Sequence, residues 1–157
     1  KNYDNSPSSV LSNQNLRKNI VLITHNGTKV ANMLSGAKEV ICASFINFYS
    51  IINYVKKNKK KNWLILPSGD TLKGINEIED DICADAFKNY LEKSKINFKK
   101  CFQNLSKAMK NRIIHRQDFE NAEKLKTDLA LCSSIGLISS VPRLEYKKNK
   151  IRCFDVS

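Results

Sequence analysis

The chain has 157 residues, a net charge of +12 and 41% apolar residues. That length suits one domain, and the apolar content supports a packed core, which excludes an intrinsically disordered chain. No apolar run approaches membrane-spanning length and no signal-peptide pattern is present, so a membrane protein is not expected and a cytoplasmic location is.

Lys1 to Asn15 is polar, with Pro7 and several Ser and Asn, and reads as a loop. Ile20 to Ile23 is a short all-apolar strand. A polar knot follows, Thr24-His25-Asn26-Gly27-Thr28, and then a helix over Asn26 to Leu34. Val30, Met33 and Leu34 share one face of it, and Gly36 stops it. Glu39 to Ala43 is a second buried strand. Ser44 opens an amphipathic helix in which Phe45, Phe48, Tyr49, Ile52 and Val55 recur at three and four. Trp63 to Leu66 is a third buried strand, ended by Pro67-Ser68-Gly69.

Continuous apolar strands alternating with helices predict a parallel sheet covered on both faces, with the polar knots along its carboxyl edge. The second half is mostly helical: Glu77 to Leu91, Cys101 to Met109 and Phe119 to Leu131. The chain closes on "VPRLEYKKNKIRCFDV", an alternating pattern that reads as a β-hairpin. The expected fold is therefore one α/β domain over 1–157. It is three-layered, α/β/α, with a largely parallel or mixed sheet and a C-terminal hairpin.

Five cysteines, odd in number and without CxxC spacing, read as reduced, buried thiols. The Lys56 to Lys61 run reads as a solvated helix end. The basic surface attracts anions in general, but no nucleic-acid motif appears and aromatics do not interleave with the lysines, so nucleic acid is not expected as a partner. His115, between Arg112 and Arg116, reads as a surface histidine.

The knot at Thr24, Asn26, Gly27 and Thr28 combines backbone N–H groups at a helix start with hydroxyl donors, a combination that can hold phosphate. The alternative is an ordinary helix cap made by Thr24 or Asn26. It is neither a Walker A loop nor a dinucleotide fingerprint. Ser44 with Asn47, and Pro67-Ser68-Gly69-Asp70, are further knots at the same expected edge. Glu77, Glu79, Asp80 and Asp81 fall in the first turns of a helix. There they complement the dipole, or hold Mg²⁺. No nucleophilic Ser/His/Asp arrangement can be read, so the catalytic group is left unassigned.

"NYDNSP", "ITHNGTKVANMLSGAKEVICASFIN", "PSG", "EIEDDICADAF", "DLALC" and "SSVPRLEYKKNKIRCF", in this order, resemble the 2-phosphosulfolactate phosphatases from Tyr3 to about Phe154. The resemblance implies a Mg²⁺-dependent hydrolase that converts 2-phospho-3-sulfolactate, or a similar phosphorylated hydroxy acid, to sulfolactate and phosphate. In methanogens this serves coenzyme M biosynthesis. It implies phosphate or substrate contacts from Asn5, Ser6, Thr24, Asn26, Gly27, Thr28, Ser44 and Asn47, and Mg²⁺ at Glu79 and Asp80. The partner would be a small anionic phosphorylated substrate, with homo-oligomerisation left open.

The family's N-terminal strand–helix region, with an Asp and Arg motif, has no counterpart here. His25 stands at a usual Thr position, and Ala43 stands before Ser44 in place of Gly. A second reading follows from these departures: a truncated, inactive relative that binds anions or a partner protein.

Overall fold

The computed structural model describes residues 6–12, 20, 21, 24, 26–59, 62–69, 77–115, 122–148 and 150–157. Among them lie six helices: α1 (Pro7–Leu11), α2 (Gly27–Met33), α3 (Phe48–Lys57), α4 (Ile78–Lys93), α5 (Phe98–His115) and α6 (Ala122–Cys132). Three strands join them: β1 (Val40–Ile41), β2 (Pro142–Lys147) and β3 (Lys150–Asp155). The mixed α/β class is as expected. Leu22 and Ile23 of the expected first strand lie outside the described residues, as do the candidate contact Asn5, His25 and Asp70.

Two local differences concern the first part of the chain. Pro7–Leu11, expected within a loop, forms the short α1, with Ser6 as its cap and proline at its first position. The sheet also differs from the expectation. Its order is β1-β2-β3, with both neighbouring pairs antiparallel. β1 is two residues long and meets β2 at Val40↔Leu144 and Ile41↔Arg143. The pattern of apolar runs reveals which segments want burial but not which neighbour supplies the ladder. Here β2, folded back from the C-terminal end, takes β1. β2 and β3 pair from Pro142↔Asp155 to Lys147↔Lys150, where the alternating pattern placed a hairpin. Lys148 enters the turn in the left-handed region at φ 43°.

Trp63 to Leu66, expected as a strand, carries no ladder among the described residues. Leu64 is 83% exposed, and the expected first strand likewise leaves Val21 at 85%.

The core forms where helical periodicity places it. Phe48, Ile51 and Ile52 on α3 meet Ala86 and Phe87 on α4, with Phe45 and Val141 closing the cluster. Phe48 is fully buried, its ring 4.4 Å from that of Phe87, and Tyr90 and Phe98 stand edge-on to it. Lys56 and Lys57 sit in the last turn of α3, where cations complement the dipole. Glu79, Asp80 and Asp81 occupy the first turn of α4, whose end is marked by Ser94 in the left-handed conformation.

A 3-10 turn, Phe45–Asn47, precedes α3 and is held from the far end of the sequence. Gly136 N–H donates to the Phe45 carbonyl and Ile138 N–H to the Ile46 carbonyl, each at 2.9 Å. Gly136 has φ +64°, and a Cβ there would lie 2.5 Å from the Tyr49 ring, so both backbone and space require glycine.

All five cysteines are free thiols. Cys42, Cys132 and Cys153 stand at exposed positions, against the expectation of burial, while Cys83 and Cys101 are half-buried. No helix among the described residues is long and apolar enough to cross a membrane.

Candidate functional site

At the first knot, Thr24 and not Asn26 caps α2. Thr24 Oγ1 accepts from Thr28 N–H at 3.2 Å, and Thr28 Oγ1–H donates back to the Thr24 carbonyl at 2.6 Å. Asn26 makes no side-chain cap bond, and its Oδ1 is buried without a partner among the described residues. Gly27 is exposed and outside the left-handed region. A Cβ there would meet only Thr24 Oγ1 at 3.5 Å, an ordinary contact. Backbone strain therefore does not explain this glycine. Among the described residues, the donors left uncommitted are the Gly27 N–H, the Asn26 amide and the Thr24 hydroxyl proton, enough to meet a small anion.

At the second knot, the buried Asn47 is the organising residue. Its Oδ1 accepts from Ser44 N–H at 2.9 Å and from Ser44 Oγ–H at 3.2 Å, while its Nδ2 donates to the Cys42 carbonyl at 3.1 Å. A buried amide with these bonds is satisfied, and it fixes the turn that leads into α3.

At the third knot, Asp80 reaches from α4 to the loop. Its Oδ2 accepts from Ser68 Oγ–H at 2.8 Å and Gly69 N–H at 2.9 Å, and Gly69 holds φ 56°. One turn further along α4, the Cys83 thiol takes the Phe45 backbone N–H. Burial first, then the nearby Asp80 and Cys101 charges, push that thiol up to about 12, with the Phe45 N–H pulling the other way. The start of α4 thus ties the Ser68–Gly69 loop and the Ser44–Phe45 turn together. The Thr24–Thr28 cluster has no hydrogen bond to either among the described residues.

The fourth contact was not legible in the sequence. Asp128 on α6 accepts from Ser6 Oγ–H at 3.0 Å and from Ser8 N–H at 2.8 Å, so its carboxylate fastens α1 across 120 or more positions of sequence. Ser6 Oγ in turn accepts from Ser9 N–H as the cap of α1. The Ser6 hydroxyl proton is committed to a carboxylate, so Ser6 shapes this wall more than it offers a donor. The only prior signal was the acid in "DLALC".

Partial desolvation pushes the Asp128 carboxyl up, but the Ser8 and Ser6 hydrogen bonds, aided by Lys124, outweigh it and hold it below the usual range. A carboxyl depressed in the folded state stabilises above its unfolded value, and that contribution disappears as pH falls through the folded value. Asp128→Asn should therefore flatten the acid limb of a melting-temperature profile below about pH 4, the ordinary Asp range. Identical acid limbs for parent and variant would refute the tether.

Among the described residues no three His, Cys, Asp or Glu side chains cluster as a ready metal cage. Glu79 and Asp80 are adjacent on α4, about 100° apart around the helix axis.

Residues 1–147 match the family model described as 2-phosphosulpholactate phosphatase. The chain belongs to this family. It is 27% identical over 156 residues to the probable 2-phosphosulfolactate phosphatase of Thermotoga maritima, covering 91% of this chain and 64% of that relative. The probable 2-phosphosulfolactate phosphatase of Synechocystis sp. is 26% identical, with 90% and 64% covered. That of Clostridium perfringens is 27% identical, with 96% and 62% covered. The chain thus spans slightly less than two thirds of the length of these relatives. No solved structure gives a significant match.

Proposed function

We propose that this chain carries the phosphate-handling part of a phosphoric monoester hydrolase whose substrate is 2-phospho-3-sulfolactate or a similar phosphorylated hydroxy acid. The products are sulfolactate and phosphate. The observation that carries the reading is the family match across residues 1–147. The chemistry of the first knot supports it, since Gly27 N–H, the Asn26 amide and Thr24 Oγ1–H are donors without an internal use among the described residues. Hydrolysis of a phosphate ester needs fixed positive and hydrogen-bonding charge around the transferring group, with water as the attacking nucleophile.

In this reading Thr24, Asn26 and Gly27 offer donors to the phosphate, while Thr28, whose N–H and hydroxyl are both bonded to Thr24, fixes the loop. Ser44 and Asn47, with Asn5 and Ser6, remain the further substrate contacts that the family resemblance implies. Mg²⁺ would supply charge stabilisation at the phosphoryl oxygens. Such ions commonly use one or two protein carboxylates and keep waters and substrate phosphate as their other ligands. Asp80 fits that sparse role, because only its Oδ2 is engaged by the loop. Glu79, turned away by a helix step, would act on the same ion through water.

The reading is tested by phosphate release from 2-phospho-3-sulfolactate by the purified chain, with and without Mg²⁺. We expect turnover that stops with EDTA and returns with excess Mg²⁺. No turnover with calorimetric binding of the substrate retained would leave the inactive anion-binding relative as the reading; no turnover and no binding would overturn both.

A further inference from the structure

We propose that Cys42 and Cys153 form a two-thiolate site for a soft, thiophilic metal ion of the Cu(I) class, which clamps β1 to β3 across the strand between them. The register brings the two together. Cys42 N–H donates to the Pro142 carbonyl at 2.8 Å, which extends the β1–β2 pairing one residue beyond Ile41↔Arg143. Cys153 pairs with Leu144 on the other side of β2. Pro142 and Leu144 are two apart on one strand, so Cys42 and Cys153 fall on the same face of the sheet. There the two thiols share a side-chain hydrogen bond. Both residues are exposed, so an ion can reach them.

Spacing and ligand count select the occupant. A disulfide needs Cα atoms within about 7 Å. Here β2 intervenes, and two strand spacings amount to about 9–10 Å. An ion bonded to each sulfur at about 2.3 Å spans a gap that an S–S bond does not. Among the described residues no third His, Cys, Asp or Glu joins the pair. Zinc takes four ligands in a structural site, whereas soft monovalent copper favours thiolates and is content with two.

The electrostatics agree with a missing cation. Partial desolvation first, then the Cys153 charge and hydrogen bond, push the Cys42 thiol up to about 11. Desolvation foremost raises the Cys153 thiol, with the Cys42 hydrogen bond pulling it down and Asp155 pushing it up. Neighbouring thiols that resist ionising together are relieved by a cation between them. On binding, two S–H bonds break, two sulfur–metal bonds form, two protons pass to solvent and no electron moves. The clamp would also bear on the second knot, because the Cys42 carbonyl accepts from the Asn47 amide that holds Ser44. The inference does not depend on the phosphatase reading, because its test measures metal binding and not turnover.

The probe is Cu(I) alone, titrated without oxygen into the reduced full chain against a coloured Cu(I) chelator. We expect a tightly bound equivalent, two sulfur neighbours by X-ray absorption and a raised melting temperature. Cys42→Ser and Cys153→Ser should each weaken that equivalent at least about a hundredfold, since losing a ligand outright exceeds the cost of disturbing its supports. Cys132→Ser, at an exposed thiol outside the pair, should leave it unchanged. X-ray absorption is read on the parent, so the proposal stays testable even where a variant fails to fold. Absence of a tight equivalent would overturn it. So would an equivalent that survives both serines, or ready closure of a Cys42–Cys153 disulfide under mild oxidation, because the spacing that calls for an ion would then be wrong.

Discussion

Phe48→Ala should cost about 3–5 kcal/mol, the range for emptying a large buried aromatic site, and should bring the domain close to unfolding. Phe48 has 0% exposure. Four rings surround it, with centroids at 4.4 Å for Phe87, 5.5 Å for Tyr49 and Tyr90, and 5.6 Å for Phe98. These come from α3, α4 and the start of α5, so no single element can move in to close the cavity. Urea melts followed by circular dichroism measure the loss. A loss under about 1 kcal/mol would mean that the site collapses freely, which well-packed interiors do not do. Ile52→Val, at a neighbouring buried position, should lose only about 0.5–1.5 kcal/mol.

The same residue explains why the Ser44 turn depends on the core. Phe48 follows Asn47 directly, and Asn47 is what holds Ser44 and the Cys42 carbonyl. Gly136 and Ile138 grip the other side of that turn through the Phe45 and Ile46 carbonyls. The turn is therefore set by packing beneath it and by main-chain bonds from a segment some 90 positions later. Its own three residues alone would not fix it.

What could be read in the sequence follows this division between local and distant causes. Phe48, Ile52 and Val55 declare α3 because a helix face repeats within a few residues. Glu79, Asp80 and Asp81 marked the start of α4 for the same reason. The alternation around Lys147 to Lys150 marked the β2–β3 pair, whose partners are adjacent in sequence. The pairing of β1 with β2 was not legible, because it joins positions about a hundred apart and an apolar run carries no label for its neighbour. Asp128 was missed on the same ground, since its partners Ser6 and Ser8 lie near the opposite end of the chain. Asp80 was expected as a helix-dipole acid or metal ligand. Its bonds to Ser68 and Gly69 add a loop-holding role that only the folded path reveals.

Asn26→Ala should separate stability from ligand binding at the first knot. A cap residue replaced by alanine loses about 1 kcal/mol, and Thr24 is the residue to which that applies, because its Oγ1 takes the Thr28 N–H. Asn26 instead buries an oxygen with no partner among the described residues. Such an atom destabilises the fold by about 1–3 kcal/mol relative to a satisfied one, so deleting the amide should leave the melting temperature unchanged or raise it.

The Asn26 Nδ2–H groups, the Gly27 N–H and the Thr24 hydroxyl proton are donors without an internal use among the described residues, and the oxygens of an incoming phosphate group are acceptors for them. Asn26→Ala should therefore weaken calorimetric binding of 2-phospho-3-sulfolactate at least about tenfold, near 1.4 kcal/mol, without a loss of stability. Thr24→Ala should lose both stability and binding, since the loop it caps comes apart. If Asn26→Ala binds as tightly as the parent, the knot is an ordinary helix start and the phosphate contacts lie elsewhere. If it melts well below the parent, the buried oxygen has a partner in solution, and the amide belongs to the scaffold and not to the site.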